Sequence, residues 1–413
     1  MKVGLLHYTG PPTIGGVEST LAAHARLLAE AAYQPMLVVG RGQPFDDRVP
    51  VWRIPALDSR DPSVVRVRAD LERGTVSQDF DALRCHLVEQ LSARLSGLDA
   101  LIVHNALTLH KNLAATAALW DLHQAANIPR LIGWHHDLAW DRPQDRGVLH
   151  DGYPWDLLRR PWPGVIHVVV SAAQQRRLAA LYDIDPELIH VIPPGVDPAA
   201  FGRWTDRTQR IVERCRLLEA DAVLLLPARI TRRKNIEFAL RVLAALRQPT
   251  GKDVRLIVSG PPGPHTPANQ AYLEQLLDLR HQLGLNDAAH FLYQLDAPRP
   301  LEVDDATLSD LFRLSDALFM PSISEGFGIP LLEAGLARLP IFCTELPPFA
   351  ESAGELATYF SPAASPSAVA DIIATGLFDE HAYRMRRRVL QEYSWQRIVQ
   401  TKLLPLLDGV AAR

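Results

Sequence analysis

Short, nearly unbroken apolar runs alternate along this chain with longer stretches in which apolar residues recur at helical spacing. In the first half the runs are Val3–Leu6, Pro35–Val39, Ala100–Val103, Arg130–Gly133 and Ile166–Val170, with helical patterning between them, as over Val17–Ala32. The second half repeats the scheme at Ala222–Leu226, Val254–Val258, Ala289–Leu292, Ala317–Met320 and Pro340–Cys343. Strand alternating with helix predicts parallel α/β architecture. Runs that are apolar throughout predict strands covered on both faces. Between the halves lies Ile192-Pro193-Pro194-Gly195-Val196-Asp197-Pro198. Its prolines and glycine can continue neither a helix nor a central strand, so the domain boundary is placed here, giving 1–195 and 196–390.

Composition narrows the class. A chain of 413 residues suffices for two buried cores, and 47% hydrophobic with 22% charged residues excludes disorder. A net charge of −4 gives no footprint for nucleic acid. Of the 43 basic residues 38 are Arg, which makes a lysine at a motif position more informative. Cys85, Cys215 and Cys343 form no CxxC pair, which fits a reducing compartment and no zinc site. The apolar start is too short for a signal peptide, and no run approaches the roughly 18 apolar residues of a membrane span. A cytoplasmic protein without an integral membrane segment is expected, with peripheral membrane contact left open.

The most informative segment is Pro321-Ser322-Ile323-Ser324-Glu325-Gly326-Phe327-Gly328-Ile329-Pro330-Leu331-Leu332-Glu333-Ala334. It follows a buried run and opens a helix, with Pro330 at a first-turn position. Glycines ahead of a helix allow close backbone approach, and the N–H groups and dipole there favour an anion such as a diphosphate. Glu333, about one turn in, suits ribose hydroxyls, and Glu325 on the loop suits something beyond the phosphates. A second segment, Arg229-Ile230-Thr231-Arg232-Arg233-Lys234-Asn235, follows the first strand of the second half. Cations there can neutralise a departing diphosphate, with Arg232 and Arg233 expected in solvent.

Glu325 and Glu333, separated by seven residues around Gly326-Phe327-Gly328, resemble the EX7E motif of family 4 retaining glycosyltransferases (glycosyl transferases group 1). The resemblance covers nearly the whole chain, most strongly its second half. It implies two Rossmann-like parallel-sheet domains facing across a cleft, the GT-B fold, with a C-terminal helix over 391–413 crossing back to the first domain. It implies a carbohydrate-biosynthetic enzyme that moves a hexosyl group, with retention, from a UDP-, GDP- or ADP-sugar to a hydroxyl of a sugar, glycan or polyol. No obligatory cofactor or metal is implied. Glu325 then contacts the donor sugar and Glu333 the ribose, while Arg229 and Lys234 hold the diphosphate. Gly15 and Gly16 face the donor phosphates from the first domain, and His136, with Asp137, lies near the reacting sugar. Ser259-Gly260-Pro261-Pro262 departs from the family's Gly-x-Gly turn, and its prolines donate no N–H.

Alternatives are a non-catalytic sugar-nucleotide binder and a GT-B epimerase or phosphorylase; the retained glutamates and cations favour transfer. Asp183-Ile184-Asp185 mimics a metal-binding DxD but falls in a helix-to-strand connection. Four of the eight tryptophans (Trp134, Trp140, Trp155, Trp162) cluster among aspartates. Aromatic faces stack on sugar C–H faces, so Trp140, Asp141 and Trp155, with Asp137, are assigned to the acceptor. Packing of a long loop explains the tryptophans equally well.

Overall fold

The computed structural model describes residues 1–262, 268–297, 300–301 and 303–411. The chain divides into two compact units, Met1–Val196 joined by Tyr393–Arg413, and Asp197–Glu392. The first unit is built on β1 (Lys2–Thr9), β2 (Gln34–Arg41), β3 (Val51–Arg53), β4 (Ala100–His104), β5 (Arg130–His135), β6 (Ile166–Val169) and β7 (Ile189–Val191). All are parallel, in the order β3-β2-β1-β4-β5-β6-β7. The second unit uses β8 (Ala222–Leu226), β9 (Val254–Val258), β10 (Ala289–Phe291), β11 (Ala317–Met320), β12 (Ile341–Thr344) and β13 (Thr358–Phe360). These are also parallel, in the order β10-β9-β8-β11-β12-β13.

Each sheet reverses direction beside its first strand, between β1 and β4 and between β8 and β11. Such switch points leave a crevice at the carboxyl ends of the strands, the usual ligand position in open α/β sheets. Unbroken apolar runs form these strands because alternate residues feed separate cores. Leu6, Val38 and Val103 face one side of the first sheet, and Leu5, Val39 and Ile102 the other. Leu224, Leu226 and Leu256 oppose Val223, Leu225 and Ile257 in the second.

Beyond the second unit the chain returns to the first sheet. Val196 and Ser394 form a parallel bridge, and Trp395, Ile398, Leu403 and Leu407 join the core of Val3, Leu5 and Leu21. The basic run between Arg384 and Arg388 is partly interior. Arg386 and Arg387, on the helix His381–Glu392, bond to buried Asp316, which also accepts from the Val223 N–H at 2.8 Å. A buried carboxylate needs such partners, and they clamp this helix beneath β8 and β11.

Candidate active site

In the second unit, the loops leaving β8 and β11 meet at the switch point. The β8 loop tightens into a short turn over Arg232–Lys234, and Asn235 in the left-handed region (φ 53°) launches α-helix Ile236–Thr250. The β11 loop ends at Gly328 and opens α-helix Ile329–Leu336. Gly328 has φ 108°, and a Cβ there would stand 2.8 Å from the Phe349 ring, so only glycine fits without displacement. Gly326 and Phe327 are exposed at the helix entrance.

Glu325 joins the two loops. Lys234 Nζ pairs with its Oε1, Ser322 Oγ donates to Oε1 at 2.8 Å, and Arg233 Nη1 donates to Oε2 at 2.7 Å. The Ile323 N–H adds a backbone bond to Arg233 O at 2.8 Å. Burial alone would raise the Glu325 pKa, but the bonds from Lys234 and Ser322 and the Lys234 charge hold it below its ordinary value. Only 8% of the Glu325 side chain and 10% of the Lys234 side chain are exposed, so the pair is preorganised. Arg233, expected in solvent, is therefore part of the site. Arg232 also has partners, stacking over Tyr272 and bonding to Gln275.

Arg229 is exposed on the same loop, with no partner among the described residues. Glu333 is half-buried one turn into its helix, and burial and nearby Asp305 raise its pKa. It too lacks a hydrogen-bond partner among the described residues. The structure thus brings Lys234 and Glu325 together and leaves Arg229 and Glu333 available to a ligand.

In the first unit, Gly15 and Gly16 begin α-helix Gly16–Glu30, and nothing would stand within 4 Å of a Cβ on Gly16. Glu18 in its first turn bonds to Thr9 at the end of β1. His136 follows β5. Its N–H, and that of Asp137, donate to Asn105 Oδ1 at 2.7 and 3.2 Å. Asn105 adopts φ 59°, which asparagine tolerates better than most residues, and it was not legible as a site residue in sequence.

His136 Nε2 shares a 3.2 Å hydrogen bond with His104 Nδ1, and His7 lies 3.0 Å from His104 O. His135 and His167 share another bond at 3.0 Å, and the His24 ring lies edge-on to Trp134. Burial drives these histidines neutral, to about 4 for His7, His136 and His167 and about 3 for His24. His104 and His135 are also held well below their ordinary value by burial. His136 is consequently an uncharged hydrogen-bonding group at neutral pH.

The acceptor quartet does not stay together. Trp155 is 3% exposed and packs in the core with Phe80 and Leu157, so neither ring face is open to a sugar. This corrects its assignment, because the ring fills the long loop instead. Trp140 is half-buried, with the Arg159 guanidinium 4.2 Å above its ring. Asp141 pairs with Arg177 at 3.3 Å, and Asp137 is half-buried beside His136. Asp183 and Asp185 serve local structure, Asp183 as a left-handed helix cap and Asp185 by accepting from the Glu187 N–H. Among the described residues no group of three His, Cys, Asp or Glu could hold a metal, and no helix is long and apolar enough to cross a membrane.

The model of Glycosyltransferase Family 4 matches residues 14–200, and that of Glycosyl transferases group 1 matches residues 209–394. The mannosylglucosylglycerate synthase of Petrotoga mobilis is 27% identical over 60% of each chain. The MMP alpha-(1->4)-mannosyltransferase of Mycolicibacterium hassiacum is 25% identical over 96% of each. The D-inositol 3-phosphate glycosyltransferase of Kineococcus radiotolerans is 35% identical over 42% of this chain and 38% of its own. The chain thus spans less than two thirds of the first and third of these relatives. With one matching model on each α/β unit, the chain belongs to the group 1 glycosyltransferases of family 4.

Proposed function

We propose that this glycosyltransferase moves a hexosyl group, with retention, from a nucleoside diphosphate sugar to a hydroxyl of a sugar, glycan or polyol. The observation that carries the reading is the Glu325–Lys234–Arg233 network at the β8/β11 switch point, one loop away from Glu333, which has no hydrogen-bond partner among the described residues. Glu333 accepts from ribose hydroxyls, and the entrance of helix Ile329–Leu336, with Gly326, Phe327 and Gly328, receives the diphosphate. Arg229 and Lys234 neutralise it, while Glu325 accepts from hydroxyls of the donor sugar. On the first unit, the Gly15-Gly16 helix entrance suits a phosphate, His136 and Asp137 orient a reacting sugar, and Asp141 with Trp140 meets the acceptor.

In the transfer step the bond from the anomeric carbon to the phosphate oxygen breaks as that to the acceptor oxygen forms on the same face. The acceptor's proton passes to the departing diphosphate, so no strong protein base is required, consistent with a neutral, weakly basic His136. The pull between Lys234 and Glu325 also has a consequence. Growing negative charge on the leaving phosphate competes for the ammonium, so Lys234 favours the transition state over the bound donor. Relatives named for mannosyl transfer and for inositol 3-phosphate support a hexosyl donor and a polyol acceptor.

The test is a screen of UDP-, GDP- and ADP-sugars for donor turnover, in the presence and absence of EDTA, with product anomers assigned by NMR. The expected outcome is turnover of one nucleotide class, persisting in chelator, with the donor's anomeric configuration kept. Inverted product, or activity abolished by EDTA and restored by metal, would overturn the respective part.

A further inference from the structure

A cavity of about 430 Å³ opens in the first unit at the carboxyl ends of β2 and β3, beside the loop that leads from β1 to Gly15. Arg41 and Arg53 line it with Thr13 and Gln43. Strand register places the two arginines together: Arg53 pairs with Val39, two residues before Arg41, so both emerge on the same face of the sheet. Their electrostatic situations differ. Asp58 lies 3.4 Å from Arg41 Nε. A Cβ on Gly40 would stand 2.0 Å from the Asp58 nitrogen, so the turn carrying Asp58 is packed directly on the end of β2 and its carboxylate is fixed under Arg41. Arg53 is exposed and has no partner among the described residues. The cavity therefore keeps one uncompensated positive charge, on a planar group suited to bidentate binding of phosphate or carboxylate.

Size and lining define the rest of the ligand. The volume is several times that of a phosphate and lies in the usual range of small-molecule sites. Pro12 and Pro55 line the wall without donating an N–H, whereas Thr13 and Gln43 offer a hydroxyl and an amide to ligand hydroxyls. We infer that this cavity binds the anionic substituent of the acceptor, a phosphate or carboxylate on a small polyol, with Arg53 as the specificity-determining residue and Arg41, held by Asp58, as its second cation. The inference rests on the transferase reading above and adds the charge of the substrate that the first unit receives.

The same anionic chemistry could come from the donor's diphosphate, and calorimetry separates the two sources. The full chain is saturated with whichever of UDP, GDP or ADP binds, then titrated with glucose, glucose 6-phosphate, inositol, inositol 3-phosphate, glycerol and glycerate. The expected result is that at least one anionic compound binds more than about tenfold tighter than its neutral partner. In Arg53→Ala that preference falls to near parity while nucleotide affinity is unchanged, and Arg53→Lys restores part of it. No preference in the wild type, or a preference that survives both Arg53→Ala and Arg41→Ala, overturns the inference. Nucleotide affinity that falls in step with the Arg53 change assigns the cavity to the donor and overturns it as well. A chain that binds none of the three nucleotides sinks the transferase reading instead, so the two failures are distinct.

Discussion

Glu333 and Glu325 belong to one motif, yet their surroundings divide their work. Glu325 is held by Lys234, Ser322 and Arg233 before any ligand arrives, with acceptor capacity left on Oε2, and Glu333 has no partner among the described residues. Desolvation without compensation raises the pKa of Glu333 while that of Glu325 is lowered. As the ribose ligand, Glu333→Ala should weaken nucleotide binding by about 1–3 kcal/mol, the worth of a hydrogen bond to a charged group. Titration calorimetry on variant and parent measures this, and unchanged affinity in a folded variant would remove the assignment. The motif was legible because its residues are close in sequence. Arg233 was not, because its bond to Glu325 spans 92 positions and no spacing rule reaches that far.

At the level of elements, the long central strands could be read from their apolar runs, since both faces are covered and no polar position interrupts them. β3, β7 and β13 escaped that reading. Each is three residues long, each lies at a sheet edge, and each carries exposed or half-buried positions that break the run. The loop after β5 left two readings open, since composition alone does not distinguish an aromatic that stacks on sugar from one that fills a core, as Trp155 does. Trp155→Ala should cost about 3–5 kcal/mol of stability, the usual range for removing a buried tryptophan, and should affect donor and acceptor handling together. Denaturant unfolding beside acceptor kinetics checks this. A stable variant with only a raised acceptor Michaelis constant would return Trp155 to the binding surface.

Across the molecule, the two units should respond unequally to acid. His7, His24, His104, His135, His136 and His167 all lie in the first unit with lowered pKa values, and the second contributes His290, also lowered by burial to about 4. Unfolded histidine titrates near 6.5, so between about 6.5 and 4 the unfolded chain binds more protons, and stability falls as pH falls through that window. One histidine held near 4 costs about 2 kcal/mol at pH 5, a large share of a typical domain's stability. Scanning calorimetry from pH 7 to pH 5 should show the transition of the first unit moving down ahead of the second, and equal shifts would contradict it. The return of Tyr393–Arg413 to the first sheet has a consequence during translation. The second unit is continuous in sequence and can close as it leaves the ribosome, whereas the sheet made first must wait for Trp395, Ile398 and Leu403 to cover Val3 and Leu5. At roughly 5–20 residues per second, the intervening stretch takes on the order of 10–40 s to synthesise. Through that interval the nascent chain carries an open apolar face, a substrate for chaperones whose release is timed by the synthesis of Trp395, Ile398 and Leu403.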